Sequence, residues 1–159
     1  AAMVTADMVR FIVGAIAIVF VGRWLYQLAR HGANHAAKPS RVAGSFWGLV
    51  AGFTSFVAHA GGPPVSFYLL PQRLSPVVFT ATSAVYFAAI NASKWVPYAW
   101  LGLIDSRNLL TSLALAPFAP LGVWAGARLT RRVKPGLFYA LVYAGMLAAG
   151  VKLLWDGLR

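Results

Sequence analysis

The chain has 159 residues, 60% hydrophobic and 11% charged, with a formal net charge of +11 and no cysteine. A soluble domain usually carries about 25% charged residues, so the composition points to an integral membrane protein. The missing cysteines exclude disulfides, thiolate chemistry, iron–sulfur clusters and cysteine-ligated zinc, and leave the redox compartment unreadable.

Ala1 to Asp7 carries no basic n-region, and no small-residue cleavage site follows a short core, so the first span is expected to direct insertion itself. That span runs from about Met8 to Ala29, with Arg23 snorkelling to its basic end. Its length is close to the roughly 20 apolar residues that cross a bilayer. Arg30 to Arg41 is a polar loop. His31 and His35 within it have the i, i+4 spacing of a metal pair on a helix, but no third ligand accompanies them, and no metal site is expected.

The next segment, Val42 to Leu70, is apolar and broken in its middle by Gly61-Gly62-Pro63-Pro64. Proline removes a backbone donor and clashes with the preceding turn, so a helix cannot run through this motif. Backbone groups freed in hydrocarbon must be satisfied by protein or by water in a cavity. A broken helix at membrane depth is therefore a pointer to a binding site. Pro71 to Pro76 is a short turn containing Arg73. A span from Val77 to about Leu101 follows, then a loop from Gly102 to Arg107. A further span covers Asn108 to Ala127, kinked around Pro117 and Pro120. Arg128 to Pro135 is strongly basic, and the last span runs from Gly136 to Trp155. Gly48 with Gly52, and Gly122 with Gly126, form G-x-x-x-G pairs that let helices approach closely in lipid.

Most basic residues lie between spans, where the positive-inside rule places them, so nucleic-acid binding is not expected. If Val42 to Leu70 crossed the membrane once, Arg30, Lys38, Arg41 and Arg107 would face Arg73, Arg128, Arg131, Arg132 and Lys134, with no bias. If it enters and returns, turning at Gly61 to Pro64, eight of those nine share one side and only Arg107 opposes them. The expected fold is therefore all-α and integral to the membrane. It has about four transmembrane helices plus one re-entrant broken-helix hairpin in a single membrane domain over residues 1–159. Both termini are outside and the basic loops cytoplasmic. The second arm of the hairpin is short, about six to eight residues or roughly 10 Å of helix.

The only acids are Asp7, Asp105 and Asp156, with no glutamate and none at a span centre. Carboxylate relays and cation sites are common in membrane transporters, and this chain lacks the residues for one. A small anion or a neutral molecule fits better than a metal cation, and no cofactor is expected. The arm after the break begins with a helix N-terminus inside the membrane, where free N–H groups and the positive dipole end attract anions. The donors would be the amides of Gly61, Gly62, Val65 and Ser66, with the Ser66 hydroxyl. The alternative is a buried structural turn.

Asn91 and Lys94 share a face at i, i+3. Lys94 is the only basic residue well inside a span, which makes it a functional candidate; the alternative is snorkelling past Pro97 and Tyr98. Thr80, Thr82 and Ser83 sit on the same span, where threonine also bonds its own helix backbone. His59 precedes the break. It is either a donor or protonatable coupling residue, histidine titrating near neutrality, or a ring packed against a neighbouring helix.

Together these residues resemble the sulfite exporter TauE/SafE family of membrane anion transporters. The likeness rests on the break at Gly61 to Pro64, then Tyr68 to Leu70, Thr80 or Thr82, Asn91 and Lys94, and finally Pro117, Gly122, Gly126 and Leu129, in order over about Ser45 to Leu154. The resemblance implies two homologous halves, each with its own break, one half of an inverted- or tandem-repeat transporter being present here. With one break and one Asn-x-x-Lys, this chain looks like the C-terminal half. The resemblance also implies export of sulfite, organosulfonates or related sulfur oxyanions, in a multi-pass protein of a bacterial inner membrane. The substrate-binding set expected is His59, Gly61, Gly62, Ser66, Thr82, Asn91 and Lys94. The expected partners are a small anionic substrate, the lipid bilayer, and a second half-transporter chain or a second copy. The alternative is a non-transporting membrane subunit that packs against a partner. Ser55 and His59 at i, i+4 are the only faint nucleophile–base pair, with no acid to orient the histidine, so no enzyme is expected.

Overall fold

The computed structural model describes residues 5–31, 36–102 and 106–158. Every regular element among them is helical: α1 (Ala6–His31), α2 (Arg41–Ala58), α3 (Gly62–Leu69), a short 3-10 turn (Leu70–Gln72), α4 (Pro76–Trp100), α5 (Ser106–Leu115), α6 (Phe118–Arg132) and α7 (Pro135–Gly157). Three of these are long and apolar enough to cross a membrane: Ala6–Tyr26, Pro76–Trp100 and Pro135–Gly157. They coincide with three of the expected spans. The His31/His35 pair and the loop containing Asp105 reach residues 35 and 103–105, which lie outside the described residues.

The expected span over Asn108 to Ala127 is two helices rather than one kinked helix. α5 ends at Leu115, and the chain turns through Ala116 and Pro117, with the Ala119 amide donating to the Ala116 carbonyl at 3.2 Å. Pro120 then occupies the first turn of α6, where a missing N–H removes no helical bond. α6 continues through Arg132, so the basic residues Arg128, Arg131 and Arg132 are helical. Arg131 and Arg132 sit in its last turn, where cations offset the negative end of the helix dipole.

The chain divides into two compact units, Ala1–Leu74 with Tyr139–Arg159, and Ser75–Phe138. In the first, α1 buries Val9, Val13, Ala17 and Val21, a stripe at four-residue spacing. Glycines set the approach of α1 to α7. A Cβ on Gly14 would stand 2.7 Å from the Leu154 nitrogen and 2.8 Å from the Gly150 carbonyl oxygen, and one on Gly157 2.7 Å from the Asp7 carbonyl oxygen. Gly150 in turn faces Ala17 and Ile18. Contacts that step forward on one helix and backward on the other make the pair antiparallel. Trp24 stacks on Tyr143 with ring centroids 3.7 Å apart.

The small residues at the contact of α1 with α7 are therefore Gly14, Ala17, Gly150 and Gly157. Gly122 and Gly126, expected to bring helices together, have nothing within 4 Å of a built Cβ. Gly14→Ala must push backbone apart, and overpacking of this kind costs about 1–3 kcal/mol. Its thermal midpoint in detergent should fall, while Gly22→Ala, with nothing within 4 Å, should show no loss. Equal midpoints for the two variants would contradict the close approach of the two helices.

In the second unit α4 opens on Ser75, whose hydroxyl accepts from the Val78 amide at 3.4 Å, with Pro76 at the first helical position. Phe79 meets Phe138 edge-on at 5.5 Å. Pro97 lies inside α4 without ending it. It withholds the amide that the Ser93 carbonyl would otherwise take.

Candidate functional site at the helix break

Ser40 caps α2 through its side chain, accepting from the Ala43 amide at 3.4 Å. α2 ends at Ala58, and His59 adopts the left-handed conformation, φ 54° and ψ 27°. A non-glycine residue there costs roughly 1–2 kcal/mol, so the turn must be held by its neighbours. Thr54 is the main clamp. Its carbonyl accepts from the amides of His59 and Ala60, the latter at 3.1 Å. Its hydroxyl donates to the Ala60 carbonyl at 3.2 Å, with the Ala51 carbonyl 3.3 Å away. Thr54 is buried, so the clamp works where water cannot compete.

Gly61 follows the turn and is buried against α2. A Cβ there would lie 2.8 Å from the Ser55 Cβ and 2.9 Å from the Ala51 carbonyl oxygen. This glycine is present because backbone passes backbone. Gly62 is the opposite case, exposed and with nothing within 4 Å. It opens α3, with Pro63 and Pro64 in the first turn.

A helix start leaves four amides without a helical partner. Here two of those four positions are proline, so only the Gly61 and Gly62 amides remain. The Val65 amide donates to the Gly61 carbonyl at 3.4 Å, and the helix takes up the Ser66 amide in the same way. The expected donor set of four amides is therefore two. Ser66 is half-buried and lies one turn beyond Gly62 on the same face.

The short arm folds back along the long one. The Tyr68 hydroxyl donates to the Ser40 carbonyl at 3.1 Å and lies against Gly44. The Ala37 amide donates to the Pro71 carbonyl at 2.8 Å. The two ends of the broken segment thus meet. Arms of 18 and 8 residues can do so because Gly61 sits beside Ala51 and Ser55 rather than at the tip of α2. Only roughly 15–20 Å of α2 remains to be matched. Phe67 anchors the short arm, 4.9 Å from Phe20 and 5.1 Å from Trp47. At the closed end, the Tyr139 hydroxyl donates to the Leu74 carbonyl at 2.6 Å.

His59 is exposed, and its Nδ1 lies 3.1 Å from the Ser55 carbonyl oxygen. A carbonyl only accepts, so Nδ1 carries the proton in this contact. In this contact the imidazole addresses the Ser55 backbone carbonyl. Nε2 becomes a donor only when the ring is protonated.

The structure brings His59, Gly61, Gly62 and Ser66 together around one turn. Thr82, Asn91 and Lys94 are on α4, in the second unit. Thr82 and Asn91 are exposed and Lys94 is half-buried. Thr54 was not among the residues expected from the sequence. A signal for it existed: a threonine in an apolar run, seven residues before the first glycine of the break.

A model of the family described as sulfite exporter TauE/SafE matches residues 1–153, nearly the whole chain. No curated protein and no solved structure matches it.

Proposed function

The chain belongs to the sulfite exporter TauE/SafE family, whose members are membrane transporters of sulfur anions, and from that premise we propose that it exports sulfite, organosulfonates or a closely related oxyanion from the cell. The observation that carries the reading is the break itself. Two glycine amides are left at the start of α3. An oxyanion accepts from such amides, and the helix dipole favours it there. Gly61, Gly62 and Ser66 form the backbone side of the site, with His59 beside it. Within the second unit, Thr82, Asn91 and Lys94 on α4 are separate candidates for contact with the anion, Lys94 carrying a positive charge.

The segment Val42 to Leu70 is a re-entrant hairpin, and four spans cross the membrane, α5 and α6 together making one of them. The bond from Ala37 to Pro71 supports this, because it sets Lys38, Arg41 and Arg73 at one end of the hairpin. Positive-inside then makes that end cytoplasmic in a bacterial inner membrane. A second reading is a half-transporter that works only with a partner chain or a second copy. The observation behind it is Gly122 and Gly126, a G-x-x-x-G pair at which a Cβ would meet nothing within 4 Å.

Flux of labelled sulfite into liposomes carrying the purified chain tests the main reading. Sulfite-dependent flux above protein-free liposomes is expected. Its absence at every protein density would overturn transport by this chain alone and favour the second reading.

A further inference from the structure

The exposed face of α6 carries an open groove of about 330 Å³, lined by Trp124, Ala127, Arg128, Arg131 and Arg132. The spacing i, i+3, i+4, i+7 and i+8 puts all five on one side of the helix. The Arg128 guanidinium lies over the Trp124 ring, 5.5 Å from its centroid, a cation–π contact that holds it in place. Among the described residues, Asp7 pairs with Arg10 and Asp156 with Lys152. No described carboxylate pairs with any of the three arginines.

The same face continues toward the start of α6 as exposed Leu121 and Phe118, 63% and 65% accessible. It is thus graded: apolar side chains, then an indole, then three guanidiniums. A small hydrated anion would use only the guanidiniums. A phospholipid uses all three zones, its phosphate against the arginines, its glycerol region beside the indole, its acyl chain along Leu121 and Phe118. Tryptophan is enriched at that depth of a bilayer, and guanidinium groups match phosphate geometry.

The geometry points to a binding site for the headgroup of an anionic phospholipid in the groove of Trp124, Arg128, Arg131 and Arg132. This inference stands apart from transport, since it uses no residue of the break or of the Asn91–Lys94 face.

Native mass spectrometry of the full chain, mixed with equal phosphatidylglycerol and phosphatidylcholine, tests it. Retention of phosphatidylglycerol over phosphatidylcholine is expected, with a preference of about fivefold per engaged arginine at most. The triple variant Arg128→Gln, Arg131→Gln, Arg132→Gln should lose that preference. A control removing three charges elsewhere, Arg10→Gln, Arg23→Gln and Lys152→Gln, should keep it. Circular dichroism checks that both variants remain helical. The triple lysine variant should retain only part of the preference, because lysine lacks the planar fork. A full preference in the lysine variant would reduce the site to bulk charge and overturn the proposal. So would an undiminished preference in the glutamine variant, or displacement of the lipid by millimolar inorganic phosphate or sulfite.

Discussion

Gly61→Ala is expected to open the hairpin and abolish anion transport, whereas Gly62→Ala leaves the fold intact. The two residues are neighbours, and their surroundings are opposite. At Gly61 the new methyl meets the Ala51 carbonyl at 2.9 Å and the Ser55 Cβ at 2.8 Å. A backbone carbonyl in the middle of α2 cannot rotate away as a side chain can. α3 must lift instead, at a cost of about 1–3 kcal/mol for an overpacked contact. The lift strains the bonds from Thr54 to Ala60 and moves the two glycine amides from their place. At Gly62 the methyl meets nothing, and alanine favours a helix over glycine by up to about 1 kcal/mol. Thermal unfolding in detergent and sulfite flux, measured on both variants, separate the cases. The same loss of stability in both would show that the contact with Ala51 is not what fixes the hairpin.

Lys94→Met is expected to lower anion flux without lowering stability. Methionine keeps the length of the side chain and removes its charge. A lysine within a span costs about 2.5 kcal/mol or more to insert, so its apolar replacement should hold or raise the thermal midpoint. Hydrogen bonds to charged groups are worth about 1.5–3 kcal/mol, which sets the expected loss of flux at about 10- to 100-fold. Unchanged flux would assign Lys94 to snorkelling and remove it from the candidates for contact with the anion.

The break was legible because its chemistry is local. Two glycines before two prolines stop one helix and start another, and both helices end within a residue or two of where the motif places them. The charges of Lys38, Arg41 and Arg73 gave only an expectation that the short arm returns to one side of the membrane; the bonds of Tyr68 to Ser40 and of Ala37 to Pro71, which join the two ends of the segment, were not legible, because they link residues some 30 positions apart. The donor set was overestimated for a similar reason. Val65 and Ser66 follow the prolines, and only the helix register shows that their amides are taken by Gly61 and Gly62. The glycine contacts misled most. G-x-x-x-G names a spacing along one helix, while close approach depends on which face meets a neighbour. Gly14, Gly150 and Gly157 meet one, and Gly122 and Gly126 do not. On α6, apolar residues give way to arginines partway along the helix, and the change of composition at Arg128 looked like the end of a span.

Because the chain has no cysteine, Gly62→Cys provides a single thiol at the break without further substitution, at a position that is exposed and unobstructed. The decisive measurement is its rate of reaction with a membrane-impermeant thiol reagent in reconstituted vesicles, with and without millimolar methanesulfonate, a sulfur oxyanion that does not consume the reagent as sulfite does. The anion should slow the reaction, while chloride at the same ionic strength leaves it unchanged and Ser75→Cys is labelled equally in both. A thiol at residue 62 that reacts at the same rate with and without the sulfonate would contradict an anion site at the break.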